Sequence, residues 1–308
     1  MDPYFRGDFG NPHSSHAYGR KASAVIETAR KKIANTLGAN YQDLYFTSGA
    51  TESNNLLIKG LGNYSKVTPK RVITLKSEHK CVLQSCQRLE KNGFDVVYLS
   101  IGSDGLMNLN DLEKELKTPS LFTTIMFVNN ETGVIQPIKE IGQLCKKYNC
   151  FFHTDAAQAV GKIDINVNTM NIDALSISGH KLYGPKGIGA LYVNAEARKK
   201  MQPIFDGGGQ EKELRSGTLP TPLCVGLGEA VELAIKEKDK INRSIKSLRD
   251  NLLLLLENGI KGIKVNGSFT RRIEGNLNIC IPGVDAEALI NHMQNVAVST
   301  GSACTSGF

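Results

Sequence analysis

Short apolar runs rich in strand-forming residues alternate with stretches of helical periodicity through most of the chain, and this alternation constrains the fold more than any other feature. DLYFTSG leads into TESNNLLIKGL, and RVITLKS into a helical stretch from His79 to Asn92. DVVYLS follows, then LFTTIMFVNN with IKEIGQLCKKYN, and finally CFFHTDAA, IDALSISGH and GIGALYV. Strands that alternate with helices pack as a mostly parallel sheet covered by helices on both faces, so the spacing predicts an α/β protein. From about Pro222 the periodicity becomes long and helical, ending at a Gly259 stop signal. Beyond it, IKVNG, GNLNICI and NVAVSTG predict strands around a short DAEALINHM helix. We therefore expect a large domain over residues 1–238 and a smaller, incomplete α+β domain over residues 239–308.

Composition narrows the function classes. With 308 residues, 41% of them hydrophobic, the chain can bury a large core. Its longest apolar cluster, Leu252 to Leu256, falls far short of the ~18 residues that a membrane span needs, so a soluble protein without a membrane partner is expected. The opening segment lacks the apolar core of a secretory signal. Seven irregularly spaced cysteines form no disulfide framework and fit a reducing compartment. Cys81/Cys86 and Cys145/Cys150 are five apart with no histidine at zinc-finger spacing, so no metal is expected. The net charge of +7 is spread over clusters such as Arg30-Lys31-Lys32 and Arg198-Lys199-Lys200. No cluster is interleaved with aromatic residues, which argues for solvated helix faces and against direct nucleic-acid binding. A modest positive field also suits small anionic ligands.

Four segments could carry chemistry. Phe46 closes a strand, and Thr47-Ser48-Gly49-Ala50-Thr51 then turns into a helix near Glu52. Exposed amides behind small residues form a phosphate seat, although an ordinary capped helix reads the same way. His79 follows the strand RVITLKS at the sheet edge where open α/β sheets bind ligands, and a surface or capping role is equally consistent there. Asp155 ends the strand CFFHTD among small neighbours, as a strand-end cap or as a carboxylate that needs a cationic partner. Lys181 is delivered by the apolar strand DALSISGH onto the glycine-rich turn YGPKGIG, a context that suits a Schiff-base nucleophile. A phosphate seat, a strand-end acid and a strand-end lysine together match the requirements of pyridoxal 5'-phosphate.

Read verbatim, FTSGATESNN, SEHKCVL, VNNETGVIQP, HTDAAQAVGK, SISGHKLYGPKGIGALYV, GGGQEKELRSGTLPTP and VSTGSACTSG resemble, in order, the motif series of the NifS/IscS-type cysteine desulfurases. The resemblance runs from Gly10 to Gly307 and implies a fold-type I pyridoxal-phosphate enzyme. It implies that Lys181 carries the cofactor, Asp155 pairs with its ring nitrogen, and His79 stacks on the ring. Gln158 and Asn130 would lie near its phenolic oxygen and the substrate. Ala50, Thr51, Ser178 and His180 would hold its phosphate, with Thr218 reaching across from a second subunit of a homodimer. Cys304 matches the family's sulfur-accepting cysteine, and its all-small surroundings suit a loop that carries a thiol to a partner.

The implied reaction takes L-cysteine to L-alanine. Lys181 would move the α-proton, thiolate Cys304 would take the sulfur as a persulfide, and His79 would carry a proton for the thiol. The sulfur would pass to an iron-sulfur scaffold protein or another acceptor. Activity on selenocysteine, and a catalytically silent protein that only scaffolds assembly, remain alternatives. The compartment would be the cytoplasm or, alternatively, the mitochondrial matrix. Relatives begin with an asparagine-rich segment ahead of the region matching Gly10 and continue beyond the cysteine, where they supply an arginine for the substrate carboxylate. The resemblance implies that both pieces lie outside this sequence.

Overall fold

Runs such as RVITL and ALSIS are buried at every position, as strands with helices on both faces must be. The computed structural model describes residues 1–64, 68–293 and 295–301. Its elements are α1 (Asp2–Arg6), α2 (Ala17–Leu37), β1 (Leu44–Thr47), α3 (Ala50–Gly62), β2 (Arg71–Leu75), α4 (Lys80–Lys91), β3 (Asp95–Leu99), α5 (Leu109–Leu116) and β4 (Phe122–Thr124). They continue with α6 (Ile138–Lys147), β5 (Phe151–Asp155), β6 (Ala174–Ser178), β7 (Gly189–Val193), α7 (Ala195–Arg198), α8 (Thr221–Gly259), β8 (Lys264–Val265), β9 (Ile279–Cys280) and α9 (Ala286–His292).

The first seven strands form one sheet in the order β1-β7-β6-β5-β4-β2-β3. Neighbours from β3 through β6 are parallel, and β7 runs antiparallel to both β6 and β1. The carboxyl ends of β1, β2, β5 and β6 therefore share one edge, where open α/β sheets place their ligands. Adjacent residues of one strand point to opposite faces: Ile73 and Leu75 join a core with Ile26, Ile33, Ile141 and Leu227, whereas Val72 joins one with Leu56, Val82 and Leu89. The helices accordingly cover both faces. On the first face α2 crosses α8 so closely that a Cβ on Gly228 would lie 2.8 Å from the Ala29 Cβ.

The root of β1 is fixed by a buried ion pair. The Glu211 carboxylate accepts from Arg30 Nη1 and Nη2 at 2.8 and 2.7 Å and from the Phe46 amide at 2.6 Å. This clamp holds Glu211, Lys212 and Glu213 at φ values of 50, 56 and 62°, a left-handed conformation that non-glycine residues adopt only when their surroundings compel it.

The long helix α8 has 39 residues, and residue 239 lies inside it with no break in the backbone. NVAVSTG was expected to be a strand, but residues 295–301 contain none among the described residues. The small sheet consists of β8 and β9 alone, so this segment has no strand to satisfy its backbone groups. Among the described residues, no helix is long and apolar enough to cross a membrane.

Candidate active site

At the end of β1 the chain turns through Ser48 and Gly49 into α3. Gly49, the N-cap, has φ 150° and offers no side-chain cap, so the first-turn amides of α3 are left without an N-cap side chain. Glu52 takes the Ser48 amide at 2.7 Å and is itself gripped by Arg215, Nε to Oε1 at 2.7 Å and Nη2 to Oε2 at 3.2 Å. The guanidinium and the Ser48 amide hold the Glu52 carboxyl below its ordinary range against the opposing effect of burial. The turn lies directly on β7: a Cβ on Gly189 would approach the Ile177 carbonyl at 2.3 Å and Gly49 Cα at 2.6 Å. Ser178, ending β6, shares a hydrogen bond of 3.1 Å with His180 Nδ1.

Asp155 ends β5 on the same edge and is 7% exposed. Asn54 Nδ2 donates to its Oδ2 at 2.6 Å and the Ala157 amide to its Oδ1 at 2.9 Å. Burial raises its pKa, opposed by these two donors and by His79. Among the described residues Asp155 forms no salt bridge. To stay ionised, a buried carboxylate in that state needs a cationic ligand. Behind it, His153 bridges Thr124 and Ser176 at 2.8 and 3.1 Å, and burial lowers its pKa to about 3, so it is neutral at working pH.

His79 caps α4: its Nδ1 accepts the Cys81 amide at 3.2 Å and lies 3.0 Å from Cys81 Sγ. With Nδ1 an acceptor, the mobile proton of the neutral ring sits on Nε2. Lys181 lies in a single 3₁₀ turn, Gly179–Leu182, directly after β6.

These parts surround one cavity of about 580 Å³. Ala50, Thr51, Ser178 and His180 line its helix end, and His79, Asn130, Asp155, Gln158 and Lys181 line the remainder. Ser299 and Gly301 reach its wall as well. A second cavity of about 530 Å³ shares Asn130, Gln158, His180 and Lys181 and extends to α8. Thr218 is exposed and does not line the first cavity. Cys304 lies outside the described residues. An uncapped helix start, a buried carboxylate in need of a cation and an amine around one cavity fit a ligand with a phosphate, a protonated ring nitrogen and an aldehyde.

The chain matches the aminotransferase class-V family over residues 1–307. It is 50% identical over 307 residues to "Cysteine desulfurase IscS" of Rickettsia prowazekii (strain Madrid E), covering 99% of this chain and 75% of that relative. The chain belongs to the class-V aminotransferases. It is also 50% identical to the "Probable cysteine desulfurase, mitochondrial" of Dictyostelium discoideum, with 99% of this chain and 68% of the relative covered. Among solved structures, a "NifS-like protein" superposes with a TM-score of 0.91 at 34% identity, over 95% of this chain and 80% of the other. "SspA in complex with cysteine" gives 0.87 at 41% identity, over 99% and 85%.

Sequence reasoning missed Asn54, Arg215 and Lys162. Asn54 sits within a helix and Arg215 in a loop, and nothing local reveals that one holds Asp155 and the other neutralises Glu52. Cys81, part of the buried core around α3 and α4, also lines the cavity, where burial and Asp155 push its thiol up to about 12 and keep it unreactive.

Proposed function

We infer that the chain is a pyridoxal-phosphate-dependent cysteine desulfurase, which converts L-cysteine to L-alanine and leaves the sulfur as a persulfide on Cys304. One observation carries this reading: Lys181, the cation-seeking Asp155 and the uncapped start of α3 open into the same cavity. When bound, the cofactor supplies an electron-withdrawing ring that acidifies the amino acid's α-carbon and loosens its bond from Cβ to sulfur.

The protein supplies everything else. The α3 amides with Ala50 and Thr51, together with Ser178 and His180, hold the phosphate. Asp155, fixed by Asn54 and Ala157, keeps a proton on the ring nitrogen. Lys181 carries the cofactor and, once released, moves the α-proton. Asn130 and Gln158 bind the phenolic oxygen and the substrate. His79 stacks on the ring, with Nδ1 held by the Cys81 amide, and acts as proton carrier for the thiol. The Cys304 thiolate attacks the substrate sulfur: a sulfur–sulfur bond forms, the bond from sulfur to Cβ breaks, and protons taken up at Cβ and, from Lys181, at the α-carbon complete alanine. Gly301, three residues before Cys304 in the sequence, lines the cavity.

Thr218 is exposed and outside the cavity of its own chain, which supports a role at the phosphate of a second copy in a homodimer. The sulfur then passes to an iron-sulfur scaffold protein or another acceptor, in the cytoplasm or, alternatively, the mitochondrial matrix. Residues 1–238 serve as the cofactor domain and 239–308 as the smaller domain, with α8 shared between them. Purified protein mixed with pyridoxal phosphate should turn yellow and release sulfide from cysteine with dithiothreitol. Lys181→Ala should abolish the colour and the sulfide, and Cys304→Ala the sulfide alone. A Lys181→Ala protein that turned over cysteine like its parent would overturn the reading.

A further inference from the structure

The two cavities meet at Gln158, and a single side chain governs how its amide faces them. Lys162 Nζ donates to Gln158 Oε1 at 3.0 Å. An ammonium has donors only, so Gln158 must turn its oxygen toward Lys162, and its NH₂ group is directed elsewhere. Gln158 lines the cavity that contains Asp155 and Lys181, whereas Lys162 lines only the neighbouring one. The NH₂ group is therefore the part of Gln158 available to a ligand beside Lys181.

The lysine is well anchored for such a task. Its carbonyl accepts from Asn242 Nδ2 of α8 at 2.9 Å. Gly161 before it, at φ 79°, lies so close to α8 that a Cβ would meet the Ala234 Cβ at 2.7 Å. The turn from Gln158 to Lys162 is thus fixed at its far end, and the ammonium spans back over four residues to the amide.

The arrangement is unfavourable unless it is used. Lys162 forms no salt bridge among the described residues, and nearby Asp164 is taken by Lys238. The other charged and titratable groups around its cavity are Lys181, His180, Tyr183, Glu237 and Glu274. Burial first, and the Lys181 charge second, lower the Lys162 pKa to about 8. A half-buried ammonium that uses a neutral amide as its partner forgoes a carboxylate to orient that amide.

We propose that Lys162 is a positioning residue of the cofactor site: it locks the Gln158 amide so that the NH₂ group donates to the phenolic oxygen of the bound pyridoxal phosphate. The proposal rests on the desulfurase reading and adds a residue that acts only through Gln158.

A double-variant cycle on the apoprotein, titrated with pyridoxal phosphate and followed by visible absorption, tests it. Lys162→Met should weaken binding by about tenfold, the loss of one charge-assisted hydrogen bond, and displace the absorption maximum of the bound cofactor. In a Gln158→Ala background the same substitution should change neither quantity. Lys162→Gln, which keeps a donor, should fall between the parent and the methionine variant, and it replaces that variant in the cycle if the methionine protein does not fold. Unchanged affinity and absorption in Lys162→Met, or an equal change in both backgrounds, would overturn the proposal. If the parent protein itself took up no pyridoxal phosphate, the desulfurase reading would fall instead.

Discussion

Asn54 Nδ2 lies 2.6 Å from Asp155 Oδ2, a contact between the interior of α3 and the end of β5. It ties the helix whose start lines the cavity to the carboxylate of Asp155 on the same cavity, so the two are set at a fixed separation. The same Nδ2 also lies 3.2 Å from Cys81 Sγ, which adds the start of α4 and therefore His79 to the unit.

Asn54→Leu should weaken pyridoxal-phosphate binding by roughly tenfold, because a hydrogen bond to a buried charge contributes about 1.5–3 kcal/mol. Spectral titration of the apoprotein reads this directly, and an affinity equal to the parent's would show that Ala157 alone suffices to hold Asp155.

The Arg215 guanidinium neutralises the Glu52 carboxylate, which lines the cavity beside the start of α3. Arg215→Met leaves Glu52 uncompensated beside the expected phosphate, and affinity should fall by about an order of magnitude. Adding Glu52→Gln should recover most of the loss. Equal binding by the single and double variants would mean that the pair is only structural. Glu52 has a lowered pKa in the fold, so its contribution to stability is present above the unfolded carboxyl pKa and is lost as pH falls through the folded value.

Glu78 carries the opposite sign. Its Oε1 accepts the Met126 amide at 2.5 Å, its Oε2 has no hydrogen-bond partner among the described residues, and burial raises its pKa well above the ordinary value, with Asp155 adding to the rise. A carboxyl raised in the fold binds more protons folded than unfolded, so stability is highest below the unfolded pKa and declines as pH rises through the folded one. Urea denaturation of the apoprotein should show the stability of Glu78→Gln relative to the parent growing from pH 5 to pH 8, by at least about 1 kcal/mol. Parallel pH dependences for the two proteins would contradict this.

Gly189→Ala would insert a methyl group against the Ile177 carbonyl and Gly49 Cα. We expect a loss of about 1–3 kcal/mol from overpacking and a weaker hold on pyridoxal phosphate, since the displaced turn carries the α3 amides. A destabilised protein with unaltered cofactor affinity would show that the strain relaxes away from the turn.

Much of this was legible along the chain because it depends on local pattern. The buried runs RVITL and ALSIS, the helical stretch after His79 and the Gly259 stop predict elements that the fold contains. NVAVSTG was misread for a reason that periodicity does not encode: a strand exists only where a neighbour pairs with it, and β8 and β9 form their sheet without it. The antiparallel direction of β7 likewise depends on the short return from β6, a matter of connection and not of composition.

The sequence by itself determined the α/β architecture and named Lys181, Asp155, His79 and the Ser48-Gly49 turn, because each follows a strand and parallel strands deliver their ends to one edge. Only the tertiary structure decided that Asn54 orients Asp155, that Arg215 neutralises Glu52 and that Lys162 fixes an amide between two cavities. The first two contacts join residues 101 and 163 positions apart. The third lies within one short turn, but its meaning comes from α8 and the shape of the cavities around it. Hydrogen bonds of this kind depend on where side chains meet in space, which no local pattern of residues specifies.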